Sequence, residues 1–183
     1  MKYDLTQARK CIKTLDKRRF DRALLGSGDA FRHIVSLVPL LLHLNHPALP
    51  GYVEDAPAGI ADFTLSNYQQ NFLSKEHPEL VEDVQSAVNS DAVFAPILGI
   101  YVMGSFGSIS QTSASDLDIW ICHQDLLSEQ EQQRLAEKTK KISQWASTFH
   151  VEMHFYLMTQ QRFRNERYSD PLTKENSGST QYM

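Results

Sequence analysis

The sequence has few of the residues that mark secreted, membrane or nucleic-acid-binding proteins. Its two cysteines, Cys11 and Cys122, are far apart, which excludes a disulfide framework and a cysteine-based metal cluster. The most apolar stretch, residues 34–44, is too short and too interrupted to span a bilayer. No signal-peptide core follows Met1, and the net charge of -4 does not indicate a nucleic-acid surface. These absences favour a globular protein in a reducing, cytoplasmic compartment.

The first half of the sequence has the spacing of amphipathic helices. Residues 4–25 predict one helix, ended near Gly26, and its apolar stripe comprises Leu5, Ala8, Ile12, Leu15 and Ala23. Asp29 predicts the start of a second helix with a kink at Pro39. Both helices are expected to form core scaffold. A third helix is expected to begin at Thr64 or Ser66 and to run to about residue 75.

The pattern then changes to strands, around which the rest of the chain is organised. An apolar run, 97–103, breaks into a Gly-Ser-Phe-Gly-Ser loop at 104–108, and a second run opens with Asp116-Leu117-Asp118. Alternation in this second strand predicts one face that carries Asp116, Asp118, Trp120 and Cys122 and an opposite, apolar face. The loop is neither a Walker A loop nor a Gly-x-Gly-x-x-Gly motif.

The two carboxylates of this strand are suited to Mg²⁺. Residues two apart on a strand are separated by roughly 6.6 Å, so Asp116 and Asp118 could share one cation or a close pair of cations. Without a cation, two charges about 6 Å apart would repel by roughly 2.8 kcal/mol at an effective dielectric of about 20. The alternative is that these acids cap a strand at the surface.

A helix and a further strand follow the second strand. Ser128 and Glu131 form a capping-box pattern, and apolar residues recur at helical spacing through residue 149. The run 151–157 then alternates between apolar residues and Glu152, His154 and Tyr156. Glu152 is therefore a candidate third carboxylate, and the alternative is a solvent-facing side chain on an edge strand.

These motifs resemble those of a known enzyme family. An apolar strand, Gly-Ser, about ten residues and Asp-x-Asp resemble the signature of nucleotidyltransferases related to DNA polymerase beta. Several blocks further resemble the amino-terminal catalytic region of the class I adenylate cyclases of gammaproteobacteria. They are residues 20–24, 46–52, 101–105, 115–123 and 178–181. Members of that family are several times longer, so the sequence looks like an amino-terminal part.

The resemblance implies an α+β fold and an activity. We expect a helical region at 1–91 and, at 92–183, a nucleotidyltransferase-like core, a small mixed sheet with packed helices that is truncated at its carboxy end. The implied reaction converts ATP to 3′,5′-cyclic AMP and pyrophosphate, although little or no activity is expected from these residues alone. Regulatory partners are expected to act through the missing carboxy-terminal part. No nucleic-acid partner and no membrane span are expected.

The resemblance also assigns roles to residues. Asp116, Asp118 and Glu152 would be catalytic and would hold two Mg²⁺ ions, or Mn²⁺ in their place, about 3.5 to 4 Å apart. Nucleotide contacts would come from Gly104, Ser105, Ser108, Ser115 and Trp120, although Trp120 could equally be a core aromatic residue. Two alternatives stay open. One is a nucleotidyltransferase with a separate acceptor, and the other is a non-catalytic nucleotide-binding fragment.

Overall fold

A computed structural model of the chain describes residues 5–82, 84–85, 94–104, 106–108 and 116–164. Within these residues the chain includes five α-helices, a short 3-10 helix (Pro78–Leu80) and a three-stranded mixed sheet. The predicted α+β fold is therefore confirmed. The boundary predicted between residues 91 and 92 lies outside the described residues and stays a prediction.

The helices begin and end close to the predicted positions. α3 begins after Ser66, whose side chain accepts a hydrogen bond from the backbone of Gln69 in a capping box. The same arrangement of Ser128 and Glu131 starts the long helix α4. The five helices are α1 (Leu5–Leu25), α2 (Asp29–His43), α3 (Asn67–Glu76), α4 (Glu129–Ser147) and α5 (Gln160–Arg164).

Helix α1 corrects one expectation. The helix is present, but its apolar stripe does not enter the core: Leu5 is 69% exposed, Ile12 and Leu15 are each 57% exposed, and only Ala23 is buried. The prediction that this stripe is core scaffold is wrong, because among the described residues α1 packs through its carboxy-terminal end. There the rings of Phe20 and Phe106 lie 5.8 Å apart.

The sheet has the order β1 (Ile97–Val102), β2 (Leu117–His123), β3 (Met153–Met158). β1 pairs with β2 in antiparallel orientation, and β2 pairs with β3 in parallel orientation. A parallel pair needs a crossover connection, and α4 supplies it. The strand β2 is therefore central, and its two faces have different environments.

The core lies between one face of the sheet and the helices α2 and α4. Alternate residues of β2, Leu117, Ile119 and Ile121, are at most 3% exposed and belong to the same buried cluster as the apolar residues of α2 and α4. The opposite face of β2 carries Asp118, Trp120 and Cys122. Among the described helices, none has the length and apolarity required to cross a bilayer.

A buried lysine joins α4 to the loop after α2. Lys138 is 1% exposed, and its Nζ donates hydrogen bonds to the Leu44 carbonyl oxygen at 2.8 Å and to Asn45 Oδ1 at 3.1 Å. Burial lowers the pKa of the Lys138 ammonium from 10.5 to about 8, because a charged group is disfavoured away from water.

This lysine predicts a specific pH dependence of stability. Between pH 8 and 10.5 the unfolded chain binds more protons at Lys138 than the folded chain does, so raising the pH through this window favours folding. Relative to Lys138→Met, the native protein should gain about 3 kcal/mol in free energy of unfolding across the window. Urea denaturation at several pH values measures this difference. Lys140→Met, at an exposed position of the same helix, is the control and should parallel the native protein.

Candidate functional site

The candidate site lies on the face of the sheet opposite the helices. Backbone hydrogen bonds fix its parts: Met103 N–H donates to the Asp118 carbonyl at 2.8 Å, and Leu117 N–H donates to the Glu152 carbonyl at 3.0 Å. In the parallel register Asp118 is the partner of His154. Partners in register share a face, so the acidic positions of β2 and the polar positions of β3 lie together.

Three side chains converge at one end of this face. The ligand atoms of Asp116, Glu152 and His154 all lie within 4.8 Å of one another, and all three residues are exposed. His154 Nε2 is 3.3 Å from Glu152 Oε1. The structure thus brings together two of the three predicted carboxylates and adds a histidine. The alternation in β3 predicted that His154 lies on this face, although His154 was not among the predicted site residues.

Asp118 belongs to the same face but has its own contacts. Tyr156 Oη donates a hydrogen bond to Asp118 Oδ1 at 3.4 Å. On the other side, a methyl group added at Gly104 would lie 4.0 Å from Asp118 Oδ2, and Gly104 has a positive φ of 73°. The turn therefore needs glycine, and it leaves open space beside this carboxylate.

An aromatic row crosses the sheet next to the acids. Trp120 pairs in register with Tyr101 on β1 and with Tyr156 on β3, so the three rings share the acidic face. Trp120 is only 7% exposed, whereas Tyr101 is 57% exposed. The most exposed ring of this row is therefore that of Tyr101, which was not among the predicted site residues.

The loop between β1 and β2 is held by α1. Arg19 donates a hydrogen bond from Nη2 to the Phe106 carbonyl oxygen at 3.3 Å, and the Phe106 ring is buried between Phe20 and Phe31. Gly107 has a positive φ of 66° and lies against the backbone of Arg19. Ser108 is half-buried in this loop. The predicted contacts Ser105 and Ser115 lie outside the described residues.

The donor set fits a divalent cation. Cations bound to carboxylate oxygen or imidazole nitrogen at about 2.0 to 2.6 Å allow two ligand atoms to stand up to about 5 Å apart, and the observed cluster satisfies this limit. A cysteine nucleophile is not indicated on this face. Burial raises the pKa of the Cys122 thiol, which keeps it protonated and poorly nucleophilic.

The fold and the site together define an α+β protein whose sheet presents an acidic face, with ligand atoms close enough to share a cation. The family model described as adenylate cyclase NT domain matches residues 4–183. The chain therefore belongs to the family of adenylate cyclase amino-terminal domains, as the sequence motifs predicted.

Individual relatives agree with this membership. The adenylate cyclase of Haemophilus influenzae is 61% identical over 188 residues, which cover 100% of this chain and 22% of that protein. The adenylate cyclase of Pasteurella multocida is 54% identical over 100% of this chain and 22% of its own length. That of Escherichia coli K12 is 38% identical over 94% of this chain and 20% of its own length. The chain spans about a fifth of these relatives, and no solved structure matches it.

Proposed function

We propose that these residues form the metal- and triphosphate-binding part of an adenylate cyclase that converts ATP to 3′,5′-cyclic AMP and pyrophosphate. Membership of the adenylate cyclase family supports the reaction. The observation that carries the site is the convergence of Asp116 and Glu152 on the face that also presents Asp118. The protein would act in the cytoplasm.

In this proposal the carboxylates coordinate Mg²⁺. Asp116, Asp118 and Glu152 supply hard oxygen ligands, which this ion prefers. When bound, the metal would lower the pKa of the ribose 3′-hydroxyl and neutralise charge on the triphosphate. Tyr156 holds the Asp118 carboxylate in place through its hydroxyl. Positioning of the reacting groups and charge stabilisation would supply the rate, so no covalent intermediate with the protein is needed.

The loop and the aromatic row would hold the nucleotide. Gly104, Ser105 and Ser108, with Ser115, would bind phosphate oxygens through backbone N–H groups and hydroxyls. The open side of Gly104 faces Asp118, which would bring the phosphates close to the metal ligands. Tyr101 is the exposed ring next to Trp120 and would stack on the nucleoside, while Trp120 supports it from the sheet.

Product analysis tests the proposal. The full-length protein is incubated with ATP and Mg²⁺, and the products are separated and identified. Cyclic AMP and pyrophosphate in equal amounts are the expected result, because the 3′-oxygen attacks the α-phosphorus of the same molecule. A product in which AMP is joined to another acceptor would instead indicate a nucleotidyltransferase, and binding without metal-dependent turnover would indicate a non-catalytic domain.

A further inference from the structure

The imidazole of His154 is the feature of the site that the proposed function does not use. It lies on β3 beside Asp118 in the parallel register, and one of its ring nitrogens lies within 4.8 Å of a carboxylate oxygen of Asp116 and of Glu152. His154 and Glu152 are two residues apart on one face, so their side chains project in the same direction. The strand therefore positions an imidazole nitrogen and a carboxylate oxygen next to each other.

The contact with Glu152 alone does not hold the His154 side chain firmly in place. The contact between His154 Nε2 and Glu152 Oε1 is 3.3 Å, but the side chains are 45% and 67% exposed. Exposed pairs of this kind contribute about 0 to 1 kcal/mol at most. The ring is thus accessible to an ion, and within the described part of the chain Glu152 is its one ion-pair partner.

Ligand chemistry distinguishes this set from a purely carboxylate site. Mg²⁺ prefers oxygen ligands and gains little from imidazole, whereas first-row transition ions bind imidazole and carboxylate together. The carboxylates of Asp116 and Glu152 can bind either kind of ion. The nitrogen of His154 is therefore the ligand that can make the affinities for the two kinds of ion differ. The effect of losing the imidazole should therefore depend on the ion.

We propose that His154 Nε2 coordinates a divalent ion together with Asp116 and Glu152, and that it gives this site a preference for a first-row transition ion such as Mn²⁺ over Mg²⁺. The inference rests on the proposed function, because it concerns the same metal site. It adds a specificity ligand that lies outside the predicted carboxylate set. The relative affinity of the site for the two kinds of ion would then depend on a side chain of β3.

Metal titration of His154→Asn in the full-length protein tests the inference. Asparagine keeps a polar side chain, but its amide group does not reach the position of Nε2 and offers no imidazole nitrogen. Calorimetry without nucleotide should show Mn²⁺ affinity reduced by about tenfold or more, with Mg²⁺ affinity changed less than about twofold. Pulsed electron paramagnetic resonance of the native protein with Mn²⁺ should show coupling to an imidazole nitrogen, and the variant should lose it.

Two matched variants complete the experiment. His150→Asn removes another exposed histidine that is absent from the cluster, and both affinities should stay at native values. Asp116→Asn removes a shared ligand, and both ions should bind more weakly. Unchanged Mn²⁺ affinity in His154→Asn, or an equal loss for both ions, overturns the inference. The two proposals can be judged separately. If the inference about His154 fails but the native protein still produces cyclic AMP, the proposed function stands. If the native protein produces no cyclic AMP, the proposed function is contradicted.

Discussion

Replacement of Asp118 by asparagine should abolish cyclic AMP formation by the full-length protein while the fold persists. Asparagine keeps the shape of the side chain but removes the charge that would hold the cation. Loss of about 4 kcal/mol of transition-state stabilisation corresponds to roughly a thousandfold in rate. Initial rates at saturating Mg²⁺ and ATP measure the effect, and Asp116→Asn should behave alike.

The thermal midpoint separates this effect from misfolding. In the absence of metal, Asp118→Asn should unfold at the native temperature or slightly above it, because the variant relieves repulsion between carboxylates on one face. Tyr156→Phe serves as a milder comparison, since it removes only the 3.4 Å hydrogen bond to Asp118. Near-native turnover by Asp118→Asn would show that this carboxylate is not a required metal ligand.

Gly107→Ala should impair catalysis through the loop, with a smaller effect on stability. A methyl group at this position would lie 2.8 Å from the carbonyl carbon of Arg19 and closer still to its oxygen, so α1 or the loop must move. The positive φ of 66° adds a cost of about 1 to 2 kcal/mol for an L-residue. A displacement of about 1 Å in substrate-positioning groups can reduce the rate on the order of a hundredfold.

The control for this loop variant is Gly28→Ala, at which an added methyl group meets no atom within 4 Å. That variant should retain native activity and a native affinity for ATP. Gly107→Ala should show a raised Michaelis constant and a lowered turnover number in the cyclic AMP assay. Native kinetics in Gly107→Ala would show that the contact between the loop and α1 does not matter for nucleotide positioning.

The sequence predicted the elements of the fold better than it predicted their packing. Capping boxes at Ser66 and Ser128 are local, and the structure confirms the helices that begin there. Burial depends on distant partners, and periodicity in α1 could not show that Leu5 and Ile12 would stay exposed. Lys138 illustrates the same limit, because its partners Leu44 and Asn45 are more than ninety residues away in the chain.

The sequence also predicted part of the candidate site and not the rest of it. Alternation along β2 and β3 predicted which residues would share a face, and the register agrees for Asp118 and His154. The register itself could not be predicted, since it depends on how α4 returns the chain to the sheet. The hydroxyl contact from Tyr156 and the exposure of Tyr101 follow from that register, and their residue types alone gave no signal for them.

The crossover between β2 and β3 has a consequence for how the protein folds. The strands β1 and β2 are separated by fourteen residues, whereas register partners of the parallel pair, such as Asp118 and His154, are 36 residues apart with α4 between them. The parallel pair therefore costs more chain entropy to close. Ligands contributed by both β2 and β3 are thus adjacent only in the native state. An ion bound there at about 100 times its dissociation constant would raise the free energy of unfolding by about 2.7 kcal/mol. The concentration of the ion would then affect the equilibrium stability of the native chain as well as its rate of turnover.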